Sequence, residues 1–191
     1  MAVRYLIGID EVGRGPIAGP VTLCAAIAEP GFETELIGIK DSKKLSPQKR
    51  EEWFMRLEEF VRRGGVRFAV AHVPADVIDT IGIAPAIRKA LAQTLTDLAP
   101  DVAMVHIMLD GSLKAPKEFS QETIIKGDEK IPIISLASIA AKVQRDRLMV
   151  TAAETYPGYG FEQHKGYGTK AHYMALQKLG LTPLHRRSFI S

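Results

Sequence analysis

Apolar residues run nearly without a break over Tyr5–Ile9 and Val21–Ala28. Runs of this kind predict strands buried on both faces. The segment between them, Val12-Gly13-Arg14-Gly15-Pro16 onward, is glycine-rich and reads as a turn. At Ser46-Pro47 the period becomes helical: serine suits a cap and proline the first turn. Trp53, Phe54, Leu57, Phe60 and Val61 then recur at helical spacing until Gly64-Gly65. Val66–Val73 predicts a third strand, and Ala75–Ile81 a short helix running to Gly82. Pro85 opens a helix to about Leu98, with Ile87, Leu91, Leu95 and Leu98 on one face. Val102–Leu109 predicts a strand that ends at Asp110-Gly111. Lys114–Gln121 reads as loop, and Glu122–Ile125 as a short strand before Lys126-Gly127-Asp128. Ser135–Thr155 predicts a long helix with Ile139, Val143 and Val150 facing inward. A loop of glycines and aromatics, Tyr156–Thr169, leads to a last helix capped by Thr169 and stopped by Gly180. The order predicts an α/β domain, a mixed sheet flanked by helices.

The chain has 191 residues, 46% hydrophobic and 25% charged. That predicts a single globular domain, 1–191, with about 156–191 as a C-terminal loop and helical extension. No apolar run approaches the ~20 residues of a membrane span. The N-terminal residues lead straight into a strand, leaving no room for a signal peptide. The single cysteine, Cys24, lies in an apolar run and reads as an inert core residue. A reducing, cytoplasmic setting is the expectation, and a monomer is the simplest assembly. The net charge of +3 means more if acids cluster, because the remaining surface is then more basic and suits a polyanion.

The chemistry concentrates in the acids. Asp10 and Glu11 end the first apolar run, beside a turn whose glycines permit close approach and whose arginine suits phosphate. Asp110 and Asp128 likewise sit where a strand or loop ends. Buried carboxylates beside a phosphate-binding turn make sense with divalent metal between them. Mg²⁺ takes oxygen ligands and keeps room for substrate phosphate, and two such ions can support in-line phosphodiester hydrolysis. One geometric condition applies. Side chains alternate along a strand, so Asp10 and Glu11 share a site only if the strand ends between them or the glutamate reaches around.

Gly8-Ile9-Asp10-Glu11-Val12-Gly13-Arg14-Gly15-Pro16, continued by Ala18-Gly19-Pro20-Val21, resembles bacterial ribonuclease HII, the type 2 ribonuclease H. Asp41-Ser42-Lys43-Lys44-Leu45, Leu109-Asp110-Gly111, Lys126-Gly127-Asp128 and the stretch Ala137–Asp146 extend the resemblance. So do His164-Lys165-Gly166-Tyr167 and Arg186-Arg187-Ser188-Phe189. The resemblance implies a ribonuclease H-like fold with a helical C-terminal extension. It implies cleavage of RNA in RNA–DNA hybrids, and cleavage 5′ of single ribonucleotides embedded in duplex DNA, leaving 3′-hydroxyl and 5′-phosphate ends. A role in removing ribonucleotides from DNA follows. It implies two Mg²⁺ or Mn²⁺ ions held by Asp10, Glu11, Asp110 and Asp128. Gly82-Ile83 replaces the family's frequent Asn-Ile, so the entry to the next helix is expected to be looser. The extra N-terminal domain of the related ribonuclease HIII is not expected, since nine residues precede Asp10.

The resemblance also assigns recognition of the ribose 2′-hydroxyl to Gly13, Arg14 and Gly15. It assigns packing on the neighbouring sugar to Tyr167. Lys43 and Lys44 precede a helix, and Ser138, Lys142 and Arg145 share a helical face. Both groups suit phosphates; a solvated charge run or a cap fits them equally. His164 reads as a loop hydrogen-bonder. Arg186 and Arg187 fit a phosphate clamp or a basic tail. Two rival readings remain at this point: a non-catalytic hybrid-binding module, and an integrase- or resolvase-like enzyme of the same general fold.

Overall fold

The computed structural model describes residues 4–190. Five strands form one mixed sheet: β1 (Tyr5–Val12), β2 (Val21–Ala28), β3 (Val66–Val73), β4 (Val105–Asp110) and β5 (Ser120–Ile124), in the order β3-β2-β1-β4-β5. The first three pair antiparallel, while β1–β4 and β4–β5 are parallel. The helices are α1 (Pro47–Arg62), α2 (Ala75–Ile81), α3 (Ile83–Leu98), α4 (Gly127–Lys130), α5 (Pro132–Thr155), α6 (Phe161–His164) and α7 (Lys170–Leu179). None is long and apolar enough to cross a membrane among the described residues.

The double-sided burial of the central strands has a simple cause. Ile7 and Ile9 of β1, with Leu23 and Ala25 of β2, face a core closed by Ile87, Leu91 and Leu95 of α3. On the other face Cys24 and Ala26 meet Phe54 and Leu57 of α1 and Leu136 and Ala140 of α5. A sheet covered on both sides has no polar-facing positions at its centre, so its strands read as unbroken apolar runs. Cys24 is fully buried, and desolvation drives its thiol pKa well up, as an inert core residue requires.

Several expectations are corrected. β1 continues through Asp10 and Glu11 to Val12, because those residues still pair with Cys24 and Leu23. Residues 102–104 form a 3-10 turn, and β4 starts at Val105. Ser120 and Gln121 belong to β5, which ends at Ile124. α3 begins two residues before Pro85, which lies within its first turn. α5 begins at Pro132, and a short helix, α6, interrupts the expected Tyr156–Thr169 loop. Val150 is exposed and Met149 is buried instead. Residues 133–141 of α5 are buried on every side, so their periodicity carries no phase to extend to the helix end. The caps expected at Ser46 and Thr169 form, each side chain accepting an N–H three residues on.

Where α5 crosses β1 the backbones nearly touch. A Cβ added to Gly8 would sit 2.5 Å from the carbonyl carbon and oxygen of Ile133. Those atoms are main chain and cannot swing aside. Gly8→Ala is therefore expected to destabilise the fold by about 2–3 kcal/mol or more through overpacking, read from urea unfolding. Gly15→Ala, at an exposed glycine without a positive φ and with no neighbour near its Cβ position, serves as the mild control for stability.

Candidate active site

The parallel β1–β4 ladder sets Ile9 opposite Leu109, which leaves Asp10 and Asp110 side by side at the end of the pairing. By strand alternation both point to the face covered by α5. Asp128 joins them from α4, a single turn entered through Lys126 in the left-handed conformation. The Gly127 N–H donates to Asp110 Oδ1 at 2.6 Å, which ties α4 to the end of β4. The Ser135 hydroxyl donates to the Asp128 carbonyl at 2.7 Å. One carboxylate oxygen from each of Asp10, Asp110 and Asp128 lies within 4.8 Å of the others.

Asp10 and Asp128 are buried, at 5% and 3% exposure. Burial raises the Asp10 pKa well above its ordinary value, and the charges of Glu11 and Asp110 raise it further. The Ser138 hydroxyl and the Glu11 N–H oppose that shift, the latter as a 2.7 Å hydrogen bond to Oδ1. Asp10 has no ion-pair partner among the described residues, whereas Asp128 accepts from Lys43 Nζ at 3.0 Å. Three converging carboxylates with one exposed ammonium between them leave negative charge uncompensated. Oxygen-only donors at this spacing fit a hard divalent cation such as Mg²⁺ or Mn²⁺.

Glu11 is placed differently. The strand does not end between Asp10 and Glu11, so Glu11 projects from the opposite face and pairs with Arg14 at 3.1 Å. Burial raises its pKa, Arg14 lowers it, and Asp110 raises it again. It thus senses the acid cluster from its flank without joining the close triad.

The other expected residues surround the acids. Gly13 is buried, while Arg14 and Gly15 are exposed. Lys44 pairs with Glu129 at 2.6 Å. Ser138 shares a 2.9 Å hydrogen bond with Ser42, and Lys142 pairs with Asp146 at 2.7 Å. A groove of about 500 Å³ beside α5 is edged by Arg50, Lys142, Arg147 and Lys165. Tyr167 is half exposed. Its neighbour Gly166 accepts the Ile17 and Ala18 N–H groups at 3.0 and 3.2 Å, which brings the tyrosine's loop against the turn after β1. His164 bonds within its own loop, to Tyr159 and Gly166.

Two arginines depart from expectation. Arg145 does not sit on an exposed face with Lys142: it is fully buried and donates to the carbonyls of Pro20, Ala18 and Lys165. Arg186 is neither a surface clamp nor a loose tail. It too is fully buried and donates to the carbonyls of Gly19, Arg14 and Gly13. Desolvation pushes its pKa down to about 10, which leaves it charged at neutral pH. The Arg187 N–H donates to Asp79.

A mixed β3-β2-β1-β4-β5 sheet with clustered acids at the end of its parallel pair defines a nuclease hydrolase of the ribonuclease H type. Comparison with known proteins agrees. The Ribonuclease HII family profile matches residues 7–191. The chain is 46% identical to ribonuclease HII of Shouchella clausii over 182 residues, 95% of this chain and 67% of that protein. It is 45% identical to ribonuclease HII of Bacillus subtilis over 188 residues, 97% of this chain and 69% of that one. Among solved structures, ribonuclease H2 of Pyrococcus horikoshii superposes with a TM-score of 0.76 at 26% identity, covering 97% of this chain and 94% of that chain. Ribonuclease HII of Archaeoglobus fulgidus, solved in complex with PCNA, gives 0.76 at 25% identity, covering 98% and 96%. The chain belongs to the ribonuclease HII family.

The burial of Asp10, with the charge repulsion from Glu11 and Asp110, generates a stability prediction for the metal-free protein. An acid whose folded pKa is raised destabilises the fold wherever it is ionised, so Asp10→Asn is expected to raise Tm by a few degrees at pH 7. The gain is full above the folded pKa. It shrinks as pH falls through that value and vanishes below the ordinary value of 3.8, where folded and unfolded chains are both protonated. Thermal melts of both proteins across pH check this. Adding Mg²⁺ or Mn²⁺ is expected to raise the Tm of the parent protein more than that of the variant.

Proposed function

We propose that this chain cleaves the RNA strand of RNA–DNA hybrids and cuts 5′ of single ribonucleotides in duplex DNA, leaving 3′-hydroxyl and 5′-phosphate ends. The observation that carries this reading is the close triad Asp10, Asp110 and Asp128 beside a Gly13-Arg14-Gly15 turn whose Arg14 and Gly15 are exposed, in a chain of this family. In the proposal the triad, with Glu11 at its flank, holds two divalent ions, Mg²⁺ or Mn²⁺. Such ions supply a water nucleophile at neutral pH and stabilise charge on the leaving oxygen.

The protein's own groups do the rest. Ser138 and the Glu11 N–H orient the Asp10 carboxylate, and Gly127 orients Asp110. Lys43 reaches Asp128 from outside the cluster and can exchange that carboxylate for a phosphate. Lys44 and Lys142 hold the duplex through its phosphates, which position without reading sequence. Discrimination of RNA from DNA needs contact with the 2′-hydroxyl; the Gly13-Arg14-Gly15 backbone makes it, and the Tyr167 ring packs on the adjoining sugar. A binding module without chemistry would gain nothing from acids that repel its polyanionic ligand.

The test is a DNA duplex with one ribonucleotide and a labelled strand, incubated with Mg²⁺ or Mn²⁺. One cut 5′ of the ribonucleotide is expected, blocked by EDTA. Cleavage of an all-DNA duplex at comparable rate would refute the substrate assignment. Asp10→Asn is expected to lower kcat by about 10³-fold, while circular dichroism stays unchanged; retained metal-dependent activity would remove Asp10 from its role. Tyr167→Ala is expected to raise KM and weaken selection of the RNA-to-DNA step, with long-hybrid cleavage less affected.

A further inference from the structure

We infer that Arg186 is the positioning residue that presents the Arg14 and Gly15 amides to substrate, acting through the Gly13 and Arg14 carbonyls; the inference rests on the function proposed above. The Arg186 guanidinium donates Nη2–H to Gly13 at 2.7 Å, Nη1–H to Arg14 at 3.0 Å and Nε–H to Gly19 at 2.9 Å. All three of its nitrogens are occupied by main-chain carbonyls, and the side chain is fully buried. A guanidinium is a planar fork with fixed donor directions, so two consecutive carbonyls held by one fork fix two consecutive peptide planes.

In a trans peptide the C=O and the following N–H point in opposite directions, and no peptide is cis among the described residues. Drawing the Gly13 carbonyl inward therefore turns the Arg14 N–H outward, and drawing in the Arg14 carbonyl does the same for Gly15. Both residues are exposed, and neither N–H donates to any group among the described residues. Two adjacent free donors at a turn form a concave site for an oxygen acceptor, here an oxygen of the ribonucleotide. Gly13 makes the arrangement possible with φ +90°, in a position where a Cβ would strike the Arg145 side chain.

Arg145 supplies an internal control. It is equally buried and also donates to three carbonyls, but to those of Ala18, Pro20 and Lys165. It packs against Gly13 and braces the far half of the segment and the Tyr167 loop, but donates no hydrogen bond to the two peptides in question.

The experiment compares Arg186→Lys with Arg145→Lys, because lysine keeps the charge and loses the fork. Binding is measured by fluorescence anisotropy in an Asp10→Asn background, against a duplex with one ribonucleotide and the same duplex without it. Arg186→Lys is expected to reduce the ribonucleotide preference about tenfold, while Arg145→Lys lowers Tm and leaves the preference within about twofold. Mn²⁺ affinity, measured by calorimetry with Asp10 intact, is expected to stay within about twofold in both. A merely structural Arg186 would lower Tm without moving the preference, and that result overturns the inference; equal loss in both variants overturns it too. Should Arg186→Lys not fold, Arg186→Gln, which has no charge to bury, is judged by the same criteria. If the parent protein shows no ribonucleotide preference, the function proposed above fails. The inference is then judged on the ¹³C shifts of the Gly13 and Arg14 carbonyls: it stands if Arg186→Lys moves them and Arg145→Lys does not, and falls otherwise.

Discussion

The parallel pairing of β1 with β4 holds two carboxylates next to each other, and the rest of the site is built around that repulsion. Nothing in the pairing favours the acids themselves. The ladder is fixed by Ile7, Ile9, Ile107 and Leu109, all fully buried against the α3 side, and the acids are carried along at its end. Asp128 is brought in by a different element, so three separate backbone restraints oppose one electrostatic force. Folded proteins retain only about 5–15 kcal/mol of net stability. A raised carboxylate pKa at Asp10 is thus a real expenditure at a position where apolar packing alone would have been more stable. Sites that must receive a cation commonly carry such strain.

The positive charges are arranged on the opposite principle. Arg145 and Arg186 are buried without a carboxylate partner in hydrogen-bond contact, and their donors end on six main-chain carbonyls. A carboxylate partner would bind one face of each fork and leave the glycine-rich segment free. Carbonyl partners, five of the six within residues 13–20, instead convert each charge into a brace for that segment, which lies outside the helices and strands and has one isolated bridge, Ala18 to His185, to help satisfy its backbone. The buried cations also lie behind a turn proposed to meet a phosphodiester chain, so the positive field left unneutralised by acids is turned to use. Lys43 and Lys44, exposed on the other flank, pair with acids that a nucleic acid can replace at small cost.

How far the chain could be read depended on which forces were local. β2, β3 and α2 have the bounds their apolar runs and flanking glycines or prolines announced. The end of β1 was missed because Asp10 and Glu11 look like a strand's end, while ladder bonds to β2 hold them in extended form. The consequence was chemical as well as geometric, since the continued strand sends Glu11 to the other face. The start of α5 was missed for a related reason: Pro132-Ile133-Ile134 is apolar on all sides, and a fully enclosed helix has no stripe. Arg145 misled most. Its spacing from Ser138 and Lys142 suggests a common polar face, yet burial of its guanidinium depends on three carbonyls, two of them more than a hundred residues away in the chain. A charged residue beside Val143 and Met149 carried some signal of a buried role, but not of its partners.

The C-terminal extension that carries Tyr167 is locked by a chain of ring nitrogens whose protons can be counted. The Gly166 N–H donates to His164 Nδ1, so Nε2 holds the proton that bonds the Tyr159 carbonyl. His172 Nδ1 faces the Tyr167 carbonyl and must donate, which leaves its Nε2 as an acceptor. The Thr182 N–H donates to His185 Nδ1, so the His185 Nε2 proton points at His172 Nε2, 3.1 Å away. Each ring therefore fits as the neutral form in one tautomer. Burial lowers the pKa of His172, and burial together with the neighbouring imidazole brings that of His185 to about 4. A second proton on His172 would set two N–H groups against each other in an enclosed pocket formed with Tyr159 and Phe161. The same chain of bonds reaches the Tyr167 carbonyl at one end and Thr182 at the other, and Gly19 N–H meets the Leu184 carbonyl beyond it. Three histidines that resemble metal ligands in composition thus serve as a neutral strut, and the metal-competent donors remain the oxygens at the sheet end.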